Sequence, residues 1–254
     1  MAIPRKPMSS GLLLAACVLA LLSAGDDRPG PSPPVKILFI GNSYSGAIQK
    51  ILTAMLDRSP HAAQVRCIAP GGWTLARHAA NPGTLAAIRG DWDYVVLQEQ
   101  SQVPSLPGEH QESYYKAVQK LCTAIKQSGA RPVLYLTWAR RDGDPQNPQI
   151  NPDFATMQDR LTQTTREAAR RNDALVVPVG EAWRAVRAEH PDLGAALYAQ
   201  DGSHPSPQGS YLAACVFLRS LLNAEPTDVT YRGRLEKDTA QTLRDAAFRL
   251  AGPR

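Results

Sequence analysis

One loop near the carboxyl end of the chain places a carboxylate and an imidazole close together. It reads Asp201-Gly202-Ser203-His204-Pro205, so Asp201 and His204 are three residues apart. A carboxylate that bonds one imidazole nitrogen fixes the tautomer and leaves the other nitrogen free to act as a base. Gly202 permits a sharp bend, and Pro205 stiffens the loop. The pattern predicts a general base at His204 that activates a hydroxyl nucleophile.

A candidate nucleophile, Ser43, lies in a turn where an apolar run ends and a helical pattern begins. The turn reads Gly41-Asn42-Ser43 and follows Val35–Ile40. A helix N-terminus at such a turn favours negative charge, either a phosphate or an oxyanion. The turn matches neither a phosphate loop nor a dinucleotide fingerprint, and Ser45 stands where the Gly-x-Ser-x-Gly elbow has glycine. By itself it leaves open a nucleophile, an anion cradle or ordinary turn chemistry.

Two further loops contain groups that could donate hydrogen bonds to a developing oxyanion. The segment APGGW, residues 69–73, includes Gly72, whose backbone could approach a ligand closely. The segment QEQSQ, residues 98–102, includes Gln98 and Gln100, whose amides donate without titrating. An ordinary turn and an ordinary polar surface loop are the alternatives.

Five apolar runs rich in branched residues alternate with helical patterns and would position these loops. The runs are Val35–Ile40, Gln64–Ile68, Tyr94–Leu97, Pro132–Leu136 and Ala174–Pro178. Helical spacing occupies Ala47–Leu56, Ser113–Lys126, Phe154–Arg171, Glu181–Glu189, Gln208–Leu222 and Leu235–Leu250. This alternation predicts an α/β fold with a parallel sheet covered on both faces. The loops after the strands then share one edge, where open parallel sheets bind ligands.

Composition narrows the possible partners. The 254 residues carry a net charge of +5, but the basic residues are scattered rather than grouped, which disfavours nucleic acid as a partner. The sequence has no Cys-x-x-Cys or His-x-x-x-His spacing, so we expect no metal site. Cys67, Cys122 and Cys215 are expected to be small buried hydrophobes.

The first residues are typical of an export signal. Arg5 and Lys6 precede an apolar run from Leu12 to Leu22 that is too short to span a bilayer. We therefore predict a signal peptide over residues 1–24, a flexible lead-in over 25–34 and one domain over 35–254, with a secreted or periplasmic location. The segment LAAC, which ends at Cys17, resembles a lipoprotein cleavage box, and lipid anchoring is the alternative.

Together these blocks resemble the SGNH, or GDSL-type, hydrolases over residues 35 to about 222. The resemblance implies a flavodoxin-like three-layer α/β/α sandwich with a five-stranded parallel sheet, and esterase activity that needs neither metal nor other cofactor. It also implies that Ser43 is the nucleophile, His204 the base and then the acid, and Asp201 the residue that orients His204. The oxyanion hole would combine the backbone amides of Ser43 and Gly72 with a side-chain amide.

Two blocks depart from the family pattern. Asn42 stands where the family usually has Asp, and Gln98-Glu99-Gln100-Ser101 stands where it usually has Gly-x-Asn-Asp. Because no Asn is present in this block, a Gln must complete the oxyanion hole. Gln100 is the favoured donor and Gln98 stays open.

The expected substrate is an acyl ester, most simply an acetyl ester, on a small molecule or a polysaccharide. The predicted export and the basic surface favour an acetylated carbohydrate. So do two tryptophans expected at the sheet edge, Trp73 and Trp138, since an indole can stack on a sugar ring. Both tryptophans could instead simply pack the loops. A lipase or thioesterase, or a carbohydrate-binding protein without turnover, are the alternative functions. We expect a monomer or small homo-oligomer.

Overall fold

The structure, a computed structural model, describes residues 1–2 and 33–250. The predicted signal peptide, its alternative at Cys17 and most of the lead-in lie outside the described residues. The chain divides into two units between Ser32 and Pro33, and the second unit contains all the elements below. In residues 33–250, no helix is long and apolar enough to cross a membrane.

A five-stranded parallel sheet forms the centre of the fold. Its strands are β1 Val35–Ile40, β2 Ala63–Ile68, β3 Tyr94–Leu97, β4 Arg131–Tyr135 and β5 Leu175–Val177, in the order β2-β1-β3-β4-β5. Ile37 of β1 pairs with Val65 on one side and Tyr94 on the other. Since all pairings are parallel, the five carboxyl ends share one edge. The strand order reverses at β1, which places the ligand crevice of such sheets between β1 and β3.

Helices cover both faces of this sheet, as the alternating pattern predicts. Within the described residues they are α1 Ser43–Leu56, α2 Leu75–Ala80, α3 Pro82–Ile88, α4 Glu109–Gln127, α5 Phe154–Asn172, α6 Val179–Glu189, α7 Pro191–Ala196, α8 Pro207–Leu222 and α9 Lys237–Leu250. Ile37 and Phe39 pack with α1, α6, α8 and α9, while Leu38 and Ile40 pack with α2, α3 and α4. Successive strand residues therefore serve opposite cores. The predicted three-layer sandwich is confirmed.

The observed elements differ from the predicted ones mainly in short helices. The sequence pattern did not indicate α2, α3 or α7, which are six or seven residues long. Helix α1 begins at Ser43, before the predicted start at Ala47, because the Asn42 side chain accepts a hydrogen bond from the Tyr44 amide at 3.2 Å and caps the helix. Ser43 is consequently the first residue of a helix rather than part of a longer turn.

Candidate active site

Ser43 and the loop of residues 201–204 meet at the carboxyl edge of the sheet. The Ser43 Oγ lies 2.8 Å from Nε2 of His204, and Nδ1 of His204 lies 2.6 Å from Oδ2 of Asp201. The side chains of His204 and Asp201 are 44% and 50% exposed. The structure therefore joins the three residues in one hydrogen-bonded series that solvent can reach.

The Asp201 carboxylate is held in its ionised form by its neighbours. Its Oδ1 accepts hydrogen bonds from the backbone amides of Ser203 and His204, at 3.0 and 2.9 Å. Partial burial acts to raise the pKa of Asp201, but the bonds from the His204 side chain and these two amides outweigh it and lower that pKa below its ordinary value. An ionised Asp201 can both orient the imidazole and stabilise it when protonated.

Two hydrogen bonds and one glycine conformation fix the shape of the His204 loop. Gly202 has a φ of 65°, in the left-handed region that favours glycine, and its carbonyl accepts a bond from the Arg141 amide at 2.8 Å. Trp138 donates its indole N–H to the Ser203 carbonyl at 3.0 Å. Both hydrogen bonds join the His204 loop to the segment that follows β4.

A second hydrogen bond joins helix α1 to the His204 loop, next to the contact between Ser43 and His204. The Tyr44 hydroxyl lies 2.6 Å from the Ser203 Oγ, one residue away from the Ser43 to His204 contact on each side. The Tyr44 ring also packs edge-on against the His204 ring, with centroids 5.3 Å apart. Helix α1 and the His204 loop therefore meet through two adjacent side-chain pairs.

The turn before Ser43 is held by the side chain of Gln98, the first residue after β3. Its Oε1 accepts from the Asn42 amide at 3.0 Å and from the Ser45 amide and hydroxyl at 3.2 and 2.9 Å. A Cβ at Gly41 would lie 2.5 Å from both Gln98 Oε1 and Ser45 Oγ, so only glycine fits this close approach. The side-chain amide of Gln98 therefore fills this part of the crevice between β1 and β3.

This packing excludes Gln98 from the role that the sequence left open for it. Its side chain is 0% exposed, and its Nε2 donates both hydrogens, to Asn42 Oδ1 and to the Glu99 carbonyl. Gln98 as an oxyanion donor is therefore wrong. Gln100 is half-buried and its Nε2 donates to Gln102 Oε1 at 2.9 Å, which leaves its second amide hydrogen without a protein acceptor among the described residues.

Two backbone amides in the loops after β1 and β2 could also donate to a ligand. Within residues 33–250, those of Ser43 and Gly72 donate to no protein acceptor. Ser43 lies in the first turn of α1, where amides have no helical partner. Gly72 is exposed with a φ of 69°, in a turn whose next carbonyl, that of Trp73, accepts a bond from Asn42 Nδ2 at 3.0 Å.

The two tryptophans expected at the sheet edge differ in exposure. Trp138 is 0% exposed and is stacked between Tyr44 and Trp183, at centroid distances of 4.7 and 3.9 Å. Trp138 as a platform for a sugar ring is therefore wrong, because the ring has no free face. Trp73 is half-buried, with the Arg77 guanidinium 4.7 Å over its ring, and its contact with substrate stays a prediction.

The sequence did not indicate two buried residues that support the site. His78 donates from Nε2 to the Gly41 carbonyl at 2.8 Å, and burial lowers its pKa, which favours the neutral imidazole. Glu99 accepts from the amides of Leu75 and Gln100, and burial raises its pKa to about 7. A lone histidine on a short helix and a glutamate in a polar loop carry no local signal of these contacts.

A cavity of about 250 Å³ adjoins the carboxylate end of the series. It is lined by Asp201, Gly202 and the loop after β4, including Arg140, Arg141 and Asp144. Larger grooves, of about 740 and 540 Å³, run along α4 and contain none of the predicted site residues. Among residues 1–2 and 33–250, no three His, Cys, Asp or Glu side chains are grouped to hold a metal ion.

Comparison with known proteins places this geometry in a family. No family profile matches the sequence, and no curated protein matches it. A solved structure from Slackia heliotrinireducens, provisionally described as an SGNH hydrolase, is 35% identical; the match covers 73% of this chain and 97% of that one, with a TM-score of 0.61. A DUF4886 family protein from Bacteroides uniformis is 20% identical over 85% of this chain and 93% of that one, with a TM-score of 0.74. The acetyl xylan esterase AlAXEase is 13% identical over 74% of this chain and 100% of that one, with a TM-score of 0.61.

These similarities, with the sheet order and the site, define an acyl hydrolase of the three-layer α/β/α class. The identity to the Slackia heliotrinireducens protein extends over almost all of that protein's length. The chain belongs to the SGNH, or GDSL-type, hydrolases.

Proposed function

We propose that this protein is an exported serine esterase that removes an acyl group, most simply an acetyl group, from a carbohydrate. The observation that carries the proposal is the series from Ser43 Oγ through His204 to Asp201, with contacts of 2.8 and 2.6 Å. These are the distances over which a base takes a proton from a nucleophile and is in turn oriented by a carboxylate.

In the proposed reaction, Ser43 Oγ attacks the ester carbonyl carbon while His204 Nε2 takes the hydroxyl proton. Asp201 stabilises the imidazolium that forms. The backbone amides of Ser43 and Gly72, with the side-chain amide of Gln100, donate to the oxyanion of the tetrahedral intermediate. His204 then gives its proton to the departing alcohol oxygen. Water attacks the acyl-enzyme with His204 again as base, and the acid is released.

The surroundings of the series suit a hydroxyl-rich substrate better than an aliphatic one. The neighbouring cavity is lined by the charged side chains of Arg140, Arg141, Asp142 and Asp144, and the half-buried Trp73 can still offer part of its ring. Arg and Asp side chains can bond sugar hydroxyls as donors and acceptors. The acetyl xylan esterase with this fold is a precedent for such a substrate.

The test is hydrolysis of p-nitrophenyl acetate by the purified protein and by Ser43→Ala and His204→Ala variants. We expect each variant to lose several orders of magnitude in kcat/KM while it keeps the far-UV circular dichroism of the wild type. Equal rates for wild type and Ser43→Ala would refute the assignment of the nucleophile.

Release of acetate from acetylated glycans, acetylated monosaccharides, lipid esters and acyl thioesters then separates the substrate classes. We expect the glycans to give the highest kcat/KM. A preference for lipid esters or thioesters would replace the carbohydrate part of the proposal and keep the esterase part. Failure on every ester, with glycan binding retained, would favour a binding protein.

A further inference from the structure

Asn42 makes more contacts than helix capping requires. It is 3% exposed, its amide donates to Gln98 Oε1, and its Oδ1 accepts from the Tyr44 amide and from Gln98 Nε2. Its Nδ2 donates to the Trp73 carbonyl at 3.0 Å. One side chain therefore joins the loops that follow β1, β2 and β3.

The neighbours of Asn42 determine which way its amide points. Gln98 receives hydrogen bonds from the amides of Asn42 and Ser45, so the acceptor atom of Gln98 must lie there and its Nε2 must face Asn42. The Asn42 atom between Gln98 Nε2 and the Tyr44 amide must then be the oxygen. Its nitrogen consequently faces Trp73.

From these contacts we propose that Asn42 is a positioning residue for the oxyanion hole. Its Nδ2–H holds the Trp73 carbonyl, and thereby the adjacent Gly72 amide, in place beside Ser43. This role rests on the proposed esterase function. An aspartate at this position could still accept from Tyr44 and Gln98. Its second oxygen would face the Trp73 carbonyl as acceptor against acceptor, and that contact would be repulsive.

The substitution Asn42→Asp therefore removes the Trp73 bond and preserves the others. We expect kcat on p-nitrophenyl acetate at about pH 8 to fall roughly 10- to 100-fold, because the Gly72 amide would be displaced from the oxyanion hole but not removed. KM should stay within about two-fold of the wild-type value, since the loss concerns the transition state. The loss relative to wild type should shrink towards about pH 5. Burial and the facing Trp73 carbonyl raise the pKa of the introduced carboxyl against the opposing effect of the Tyr44 and Gln98 donors, and its protonated form can again donate to Trp73.

Two further variants separate this effect from a general loss of structure. Asn81→Asp is the matched control, since Asn81 caps α3 by accepting from the Thr84 amide at 2.8 Å, and aspartate caps equally well. We expect its kcat within about two-fold of wild type at every pH. Asn42→Ser keeps a capping group without a carboxyl, and its loss in kcat should be the same across the pH range. If Asn42→Asp fails to fold, a kcat of Asn42→Ser within about two-fold of wild type overturns the proposal.

The proton–nitrogen NMR resonance of the Gly72 amide tests the positioning without any turnover. It should shift in Asn42→Asp at about pH 8 and return towards the wild-type position on acidification, as the introduced carboxyl takes up its proton. A Gly72 resonance that does not move, or a loss in kcat that does not change with pH, would overturn the role of Asn42. If the wild type hydrolyses no ester, the esterase proposal fails and the resonance alone decides the positioning.

Discussion

The paired contacts between α1 and the His204 loop predict that Tyr44 supports the position of His204, the proposed general base. Its hydroxyl lies 2.6 Å from Ser203 Oγ, next to the contact between Ser43 and His204. Tyr44→Phe removes the hydroxyl and keeps the ring that stacks on Trp138 at 4.7 Å. The substitution therefore removes the hydroxyl contact with Ser203 and leaves the ring packing in place.

The burial of Tyr44 and Ser203 determines how much the loss of their hydrogen bond should cost. Tyr44 is 3% exposed, while Ser203 is half-buried, so water can replace the lost partner only on the serine side. A neutral hydrogen bond of this kind contributes about 0.5–1.5 kcal/mol to the free energy of unfolding. If about 1 kcal/mol of this stabilisation is also required in the transition state of ester hydrolysis, Tyr44→Phe lowers kcat about five-fold.

The assay is a double-mutant cycle with Tyr44→Phe, Ser203→Ala and the double variant. Urea unfolding and kcat on p-nitrophenyl acetate are measured for each, and we expect a coupling free energy of about 1 kcal/mol. Tyr135→Phe is the matched control, because Tyr135 is equally buried and its hydroxyl has no partner among the described residues. Additive losses in the cycle, or equal effects of Tyr44→Phe and Tyr135→Phe, would refute the reasoning.

Four further substitutions test the packing around the site. Gly41→Ala places a Cβ 2.5 Å from Gln98 Oε1, and we expect urea unfolding to show a loss of about 1–3 kcal/mol; an unchanged midpoint would contradict the close approach. Burial raises the pKa of Glu99 from 4.5 to about 7, so its contribution to stability is present below about pH 4.5 and is lost as the pH rises through about 7. Glu99→Gln should therefore gain up to roughly 3 kcal/mol relative to wild type between about pH 5 and 8, and a difference that does not vary with pH would count against this. Trp138→Ala should lower the free energy of unfolding by about 3–5 kcal/mol, because Trp138 is fully buried. Trp73→Ala should lower stability less and raise KM for glycan esters, because Trp73 is only half-buried. A larger loss of stability for Trp73→Ala than for Trp138→Ala would contradict the two placements.

Local patterns in the sequence were sufficient for the sheet and the larger helices. Strands β1 and β3 have the predicted bounds, and the other strands differ from prediction by one residue at each end or less. These strands are buried on both faces, so their apolar character is nearly continuous and is visible without knowledge of the fold. The short helices α2, α3 and α7 lack such a signal, since six or seven residues hold too few turns for a periodicity to emerge.

Spacing also indicated the pair Asp201 and His204, because two residues three apart on one tight loop can meet without help from distant parts of the chain. The contact of His204 with Ser43, 161 residues away, needed the additional rule that loops after parallel strands share one edge. Both inferences depend on chain connectivity and strand direction, which the order of elements specifies.

The tertiary structure alone decided how neighbouring side chains of like chemistry are used. Gln98 and Gln100 are two residues apart, yet one fills the crevice between β1 and β3 while the other keeps an amide hydrogen free. Trp138 lies under the His204 loop rather than on the surface. Burial and side-chain direction depend on contacts between residues distant in sequence, so residue type and spacing cannot specify them. The sequence therefore determined which groups reach the carboxyl edge of the sheet, and packing determined which of them stay accessible there.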